Sequence, residues 1–444
     1  MFKRIPFVFG SILMGGCAAL MNSGRPSYHG PIAKPLWHDS SLLVDEPPVI
    51  ADGRIYAAGR TGHDNDRAVM AFDGKSGAVV WRSNVAGKKV VLAAGTTLVV
   101  TDEVELTRLL DARTGNQLPT PPMLKITHAV AADGVMYAVN GNTGLEARPL
   151  TAPGEKTLWK SNLPMKPLGH VEDPTPHKYS GSLNQKYLQT KIVGAPVIAG
   201  GTVFVEGYSD FDLDSRTPAL SGIYAFDART GEMRWKWELE DRHGTYTISG
   251  IAADEAAAYV WFTDKSKDSF GIGVLAAVDA ATGKEMWRHT SSTSPGTIYQ
   301  PVLLDPNLVL SCEYPPGSEG TATNTGHLFP AFDRATGAKQ WESRTPWKYQ
   351  GGTIDRDVLL ASDHKIHEVL NENNNSSPDS WVSAVNLRTG KELWRSPEVE
   401  LGVFTLPAAG DGIVAVGSAP YTWSSPPRAG KRSVAGVWAW RIAP

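Results

Sequence analysis

One short motif, repeated along the chain, limits what this sequence can fold into more than any other feature. AFDGKSGAVVW ends at Trp81, AFDARTGEMRW at Trp235, AVDAATGKEMW at Trp287, AFDRATGAKQW at Trp341 and AVNLRTGKELW at Trp394. In each copy an apolar pair precedes Asp or Asn. A glycine follows four residues later (Gly77, Gly231, Gly283, Gly337, Gly390), and the tryptophan four after that. Two degenerate copies lie between the first and second of these. LLDARTGNQLP keeps Asp111 and Gly115 but has Pro119 in the tryptophan position; PLTAPGEKTLW keeps Gly154 and Trp159 with one extra residue in the turn. The motif recurs about every 40–55 residues, the spacing of propeller blades. One step is longer: 76 residues separate Trp159 from Trp235, and the segment 164–193 accounts for the excess.

Each copy follows a second pattern, such as PPVIADGRIYAAG, HAVAADGVMYAV, GAPVIAGGTVFVEG or LPAAGDGIVAVG. These are pairs of β-rich runs around Asp-Gly or Gly-Gly, the dipeptides that tolerate the positive φ of a tight hairpin. Each unit therefore reads as four short strands, A to D, with the tryptophan on D. The last unit, from Phe404, has A, B and C runs and no D. KPLWHDSS near the amino terminus offers a D strand with Trp37 in the key position. A ring that leaves no open edge needs that strand. The expected fold is all-β: an eight-bladed propeller of four-stranded repeats over 35–444, closed by an amino-terminal strand, with 164–193 as an insertion. The tryptophans (Trp37, Trp81, Trp159, Trp235, Trp287, Trp341, Trp394) and turn glycines (Gly77, Gly115, Gly231, Gly283, Gly337, Gly390) are expected to build the fold rather than do chemistry.

The amino terminus follows a different logic. MFKRIPFVFGSILMGGC has two cations, a short apolar run, then Gly15, Gly16 and Cys17. This is a signal-peptide pattern over 1–16. The small-small-Cys ending resembles a lipobox, which implies lipidation of Cys17, a polar tether over 17–34, and a membrane anchor without a spanning helix. By the same resemblance, Ala18 after the cysteine favours the outer membrane. No run of 18 apolar residues is present, so no spanning helix is expected. With 43 Lys+Arg against 46 Asp+Glu, the near-neutral charge argues against a broad nucleic-acid footprint, which needs a basic face. Its two cysteines, Cys17 and Cys312, exclude a disulfide framework.

The repeats resemble the PQQ-type β-propeller repeat, Ala-x-Asp-x-x-Thr-Gly-x-x-x-Trp, over about 35–444. With the lipobox and the closing strand, the chain is similar to the BamB family of outer-membrane assembly factors. That resemblance implies a monomeric, non-catalytic envelope lipoprotein without cofactor, working through protein partners such as the β-barrel assembly machinery. The alternative is a propeller that binds a small molecule, a quinone or a glycan, as a sensor or a PQQ-dependent-type enzyme. The resemblance to such enzymes implies adjacent cysteines against the quinone, and this sequence has no Cys-Cys pair.

In antiparallel blades the A–B and C–D turns share one face of the ring; B–C loops and D–A links share the other. The insertions fall in B–C loops (59–67, 208–221, 264–272, 313–327, 364–381, 417–433) and in the 164–193 link, so one face collects them. Long loops on a rigid scaffold are where binding resides. Tyr208, Phe211, Tyr314, Trp381, Tyr421 and Trp423 are the candidate partner-binding residues, as aromatics in or beside those loops. Two modes suit them: aromatic anchors that dock a folded partner, or an exposed B-strand or loop edge that takes an extended client by strand addition. Three polar clusters have the donor types for a cation: Asp210, Asp212 and Asp214; His364 and His367; His170, Glu172, Asp173 and His177. The first lacks the glycine and glutamate of a calcium loop, the second sits in a strand-like run, and the third lies among prolines. No metal is expected.

Overall fold

The computed structural model describes residues 30–61, 66–121, 123–164, 166–167, 187–188, 190–209, 219–241, 246–265, 271–291, 302–304, 307–313, 326–345, 351–369, 376–399, 402–420 and 435–442. Their regular structure is strand throughout, in eight blades around a ring.

Blade 1 orders Val49–Ala51, Arg54–Arg60, Arg67–Asp73 and Val79–Ser83 as strands A to D. Blade 3 runs Ile126–Ala132, Val135–Asn140, Gly144–Pro149, Trp159–Asn162; blade 4 runs Lys191–Ala199, Thr202–Ser209, Ala219–Asp227, Met233–Asp241. Blade 5 is Tyr246–Ala253, Ala257–Asp264, Ile272–Asp279, Glu285–Thr290. Blade 6 is Val302–Leu304, Leu308–Leu310, Leu328–Asp333, Lys339–Arg344. Blade 7 is Gly351–Asp355, Val358–Val369, Ser376–Asn386, Glu392–Arg395. Blade 8 joins Ala408–Gly410, Ile413–Pro420 and Gly436–Arg441 to Trp37–Asp39, which supplies the D strand as expected. Gly402–Phe404 pairs with the same B strand beyond the A strand.

Blade 2 departs from the four-stranded expectation. Lys89–Ala94, Thr97–Thr101 and Thr107–Asp111 form three strands, and a single Leu110–Gln117 bridge stands in for D. Proline has no N–H for a ladder, and Pro119 sits where the tryptophan would be. The neighbouring degenerate copy accommodates it, because Gly154 packs directly on the Pro119 carbonyl.

The motif's chemistry is visible in its turns. The Asp73 side chain accepts from the Lys75 and Ser76 amides at 3.2 and 2.8 Å, and Asp279 and Asp333 do the same in their turns. The glycine then takes positive φ, and the ladder shifts by one residue there, as in a three-residue hairpin with a glycine bulge. The glycine has a second reason to be there. At Gly77, Gly115, Gly231, Gly283 and Gly337 the tryptophan ring of the preceding blade lies on it, whereas Gly390 faces the Arg344 carbonyl. A Cβ on Gly231 would sit 2.5 Å from Trp159, and one on Gly283 2.7 Å from Trp235. Four of these rings also donate their Nε1–H to the carbonyl after the next motif's aspartate: Trp81 to Ala112, Trp159 to Ala228, Trp235 to Ala280 and Trp287 to Arg334, at 2.8–3.0 Å. Gly231→Ala is expected to destabilise the fold by about 2 kcal/mol, from left-handed strain plus displacement of Trp159. A urea titration checks this, and an unchanged midpoint would contradict it.

Side chains alternate along strands, so each sheet presents two apolar faces. The core is therefore distributed between blades. Phe204, Trp235, Ile248 and Val260 fill the blade 4–5 seam; Tyr137, Trp159, Val203 and Phe226 fill 3–4; Ile55, Phe72, Ala415 and Ala439 fill 8–1. The A strands of neighbouring blades approach one another around the central channel, and the D strands lie at the rim.

Three loop readings change. The B and C strands of blade 7 run to Val369 and restart at Ser376, so most of 364–381 is a hairpin that outruns its A and D neighbours. In 164–193, Lys166–Pro167 pairs with Tyr187–Leu188, and the A strand of blade 4 already begins at Lys191. B strands pair on both sides over most of their length, so the sheet edges are A and D, joined in blade 7 by the part of the B strand beyond Ser362, which runs past its A partner.

Candidate functional site

The antiparallel ladders put the B–C loops and D–A links on one face. Most of the inserted residues lie outside the described ones, but their bases are described, and these bases are firmly built. Arg60 bonds Asp45 at 2.8 Å, and Arg67 pairs with Glu103 of the next blade. Asp102 Oδ1 accepts from the Val104 and Leu106 amides at 3.1 and 2.9 Å, while its Oδ2 takes Arg108 at 3.0 Å.

Of the six aromatic candidates, Phe211, Tyr314, Tyr421 and Trp423 lie outside the described residues. So do Cys17, the Asp210, Asp212 and Asp214 run, and His170, Glu172, Asp173 and His177. Tyr208 is half-buried at the end of the blade 4 B strand. Trp381 is corrected: it is 2% exposed, with the Arg395 guanidinium 5.1 Å over its ring, so it packs beneath the face instead of presenting itself. Strand extension explains this, because a residue read as loop occupies an inward position of a long C strand. His364 and His367 lie on strand Val358–Val369, so the helix that their i, i+3 spacing needs is not formed.

The structure adds two residues that sequence reasoning missed. Val104 and Met123 are 65% and 74% exposed on short links of blades 2 and 3, on the same face. Glu105, next to Val104, and Met123 itself have φ of 62° and 63°, a left-handed backbone that non-glycine residues rarely adopt. The signal was an apolar side chain in a polar link.

Two buried acids mark the seams. Glu206, on the B strand of blade 4, is pushed up to about 8 by burial. Glu313 accepts from Ser291 Oγ at 2.6 Å and Ser311 Oγ at 3.4 Å, with His289 Nε2 at 3.8 Å. Burial pushes Glu313 up and His289 down, both toward their uncharged forms. That distance is too long for a hydrogen bond, so the contact is not read as an ion pair. In blade 3, Glu146 and Arg148 form a buried pair at 2.7 Å, with Arg148 also bonded to the Pro153 carbonyl. Cys312 is buried in the blade 6–7 core.

The described A strands, which border the channel, are built mostly of Ala, Val, Ile, Leu, Gly and Thr, with Lys89, His128, Lys191, Tyr246, Ser249 and Asp355 as polar or charged exceptions. Burial, then Lys89, lowers the His128 pKa. No group of three His, Cys, Asp or Glu is arranged to hold a metal among the described residues. No described helix is long and apolar enough to cross a membrane.

A family model described as the β-propeller domain of glucose/ethanol/alcohol dehydrogenases matches residues 39–269, 231 of the 444. The chain belongs to the PQQ-type β-propeller family. Another family model, described as outer membrane protein assembly factor BamB, matches 178–373. The chain is 23% identical over 300 residues to the outer membrane protein assembly factor BamB of Burkholderia pseudomallei, covering 66% of this chain and 60% of the relative. It is 25% identical over 233 residues to the quinohemoprotein alcohol dehydrogenase ADH-IIG of Pseudomonas putida, covering 49% of this chain and 29% of the enzyme. It therefore spans less than two thirds of either relative. The crystal structure of BamB from Moraxella catarrhalis aligns with a TM-score of 0.50 at 17% identity, over 91% of this chain and 99% of that one, which supports the fold alone. PQQ-type propellers include both assembly factors and dehydrogenases, so membership does not choose between them.

Proposed function

We propose that the protein is a non-catalytic scaffold of the bacterial cell envelope whose long-loop face binds another protein, in a role like that of BamB in outer-membrane protein assembly. The observation that carries this reading is the distribution of the chain. A rigid ring sends its long connections and the blade 7 hairpin to one face, while the A strands that border the channel are built mainly of small apolar residues. The BamB matches support it. In this reading Cys17 is acylated after removal of 1–16, residues 17–34 tether the ring to the outer membrane on its periplasmic side, and the propeller works as a monomer over 35–444. Val104 and Met123 join Tyr208, Phe211, Tyr314, Tyr421 and Trp423 as contact positions. The similarity to quinohemoprotein dehydrogenases favours a second reading, a small-molecule-binding propeller.

The test is an envelope crosslinking pull-down with photoreactive side chains at Val104 and Met123, in protein that retains Cys17. Enrichment of a β-barrel insertase component is the expected result. Val104→Glu with Met123→Glu should reduce recovery at least about tenfold while leaving the melting temperature unchanged, since apolar anchors dominate interface energy and surface changes are nearly neutral for folding. Recovery of no envelope protein, together with saturable quinone uptake, would move the function to the second reading.

A further inference from the structure

A groove of about 600 Å³ opens at the blade 3–4 seam, on the side of the ring opposite the long loops. That volume lies within the range of small-ligand sites, about 300–1,000 Å³. Its origin is legible by comparing seams. At the 1–2 seam, Tyr56 donates to the Ala112 carbonyl at 3.2 Å, and Arg54, two residues earlier on the same strand, reaches that carbonyl at 3.0 Å. At the 5–6 seam, Tyr259 donates to Asp254 at 3.1 Å, and Arg334 of the blade 6 turn crosses to the same carboxylate at 3.0 Å. Each of these seams is filled by one arginine, from one side or the other.

The 3–4 seam has the tyrosine and neither arginine. Tyr137 corresponds to Tyr56 and Tyr259, Val135 stands where Arg54 does, and Ala228 stands where Arg334 does. The space that an arginine takes elsewhere is left open. The Tyr137 hydroxyl, on a side chain that is 6% exposed, lines it with no hydrogen-bond partner among the described residues. Burial, then the charges of Asp133 and Asp227, keep this phenol protonated and able to donate. Val135 and Leu158 give the groove an apolar wall. On the other wall, Arg234 is taken by Asp227 at 2.7 Å and by Thr202. Arg229 is exposed there, and its side chain has no partner among the described residues.

We propose that this groove is a binding site for a small monocarboxylate with an apolar body. The carboxylate accepts from the Tyr137 hydroxyl and pairs with Arg229, while the body lies on Val135 and Leu158. The site is independent of the protein-binding face and requires no particular partner.

Calorimetric titration of the full chain with phenylbutanoate, phenylbutanol and phenylbutylamine tests it. Saturable binding is expected for the acid, at least about tenfold tighter than for the alcohol, because the acid alone offers a charged acceptor. Tyr137→Phe removes one oxygen that has no partner among the described residues, so folding should be unaffected and affinity for the acid should fall about tenfold. Arg229→Gln should narrow the preference for acid over alcohol. Ala228→Arg should abolish binding by filling the groove as Arg334 fills its own seam, with Asp133 available to the new guanidinium as Asp254 is to Arg334. Absence of saturable binding by the wild type, tighter binding of the amine than of the acid, or full retention of binding in both Tyr137→Phe and Ala228→Arg would overturn the proposal.

Discussion

Removal of residues 30–39 is expected to open the ring. The closing strand is only three residues long, but much converges on it. Trp37, His38 and Asp39 pair with Ala439, Trp438 and Val437, and the Leu36 amide bonds the Ala439 carbonyl at 2.8 Å. The Trp37 ring stacks on Phe72 at 5.7 Å, lies on Gly77 and donates to the Gly74 carbonyl at 2.9 Å, so it joins blade 8 to blade 1. His38 stacks on Trp438 at 3.7 Å. Trp37→Ala alone should destabilise by about 3 kcal/mol, at the lower end for a large aromatic because Trp37 is only partly buried. The deletion should cost more, since it also uncovers the Gly436–Arg441 strand and the apolar face behind it. An unpaired strand edge recruits other chains. The expected result is a lower urea midpoint together with concentration-dependent oligomers in size-exclusion chromatography. A monomer with the wild-type midpoint would show that the ring does not depend on its closure.

Glu206→Gln should make the protein more stable at neutral and alkaline pH. The carboxyl is buried in the blade 4–5 seam beside the Phe204 and Ile223 layer, and it is raised from 4.5 to about 8. The unfolded chain ionises this group near its ordinary value, whereas the folded chain holds the proton until about pH 8. Stability contributed by the protonated form is therefore fully present below about pH 4.5, declines as pH rises from there to about 8, and stays lost above that. One pK of difference corresponds to about 1.4 kcal/mol, so the wild type loses roughly 3 kcal/mol from this group by pH 7 and at most about 5 by pH 9. Glutamine keeps the shape and cannot ionise. Urea midpoints from pH 5 to 9 should converge for wild type and variant at the acid end and diverge toward the alkaline end. Parallel curves would mean that Glu206 finds a charged or hydrogen-bonded partner on ionisation.

The long-loop face and the groove differ in how far the sequence discloses them. The face follows from strand parity, which is a counting argument, so the positions of the insertions were readable without coordinates. Which side chains reach that face was not. Trp381 had the residue type of an anchor and turned inward because the blade 7 strands outrun their neighbours, while Val104 and Met123 had no aromatic signature and stand exposed. The groove left no local trace. Val135, Ala228 and Tyr137 are unremarkable one at a time, and the vacancy exists only because residues about 90 positions apart meet across a seam.

The division has a physical reason. Motif, period and turn chemistry act over a few residues, so the chain by itself determined the strands, the hairpins with glycine at positive φ, the blade count and the need for Trp37 to close the ring. Each tryptophan and its glycine were visible as a series, but which ring lies on which glycine was not. The seams are built from two sheets at a time, and their contents depend on alternation, register and the length of each neighbour. Burial of Trp381, the isolation of Glu206, the missing fourth strand of blade 2 and the open groove beside Tyr137 were decided there, in the tertiary structure.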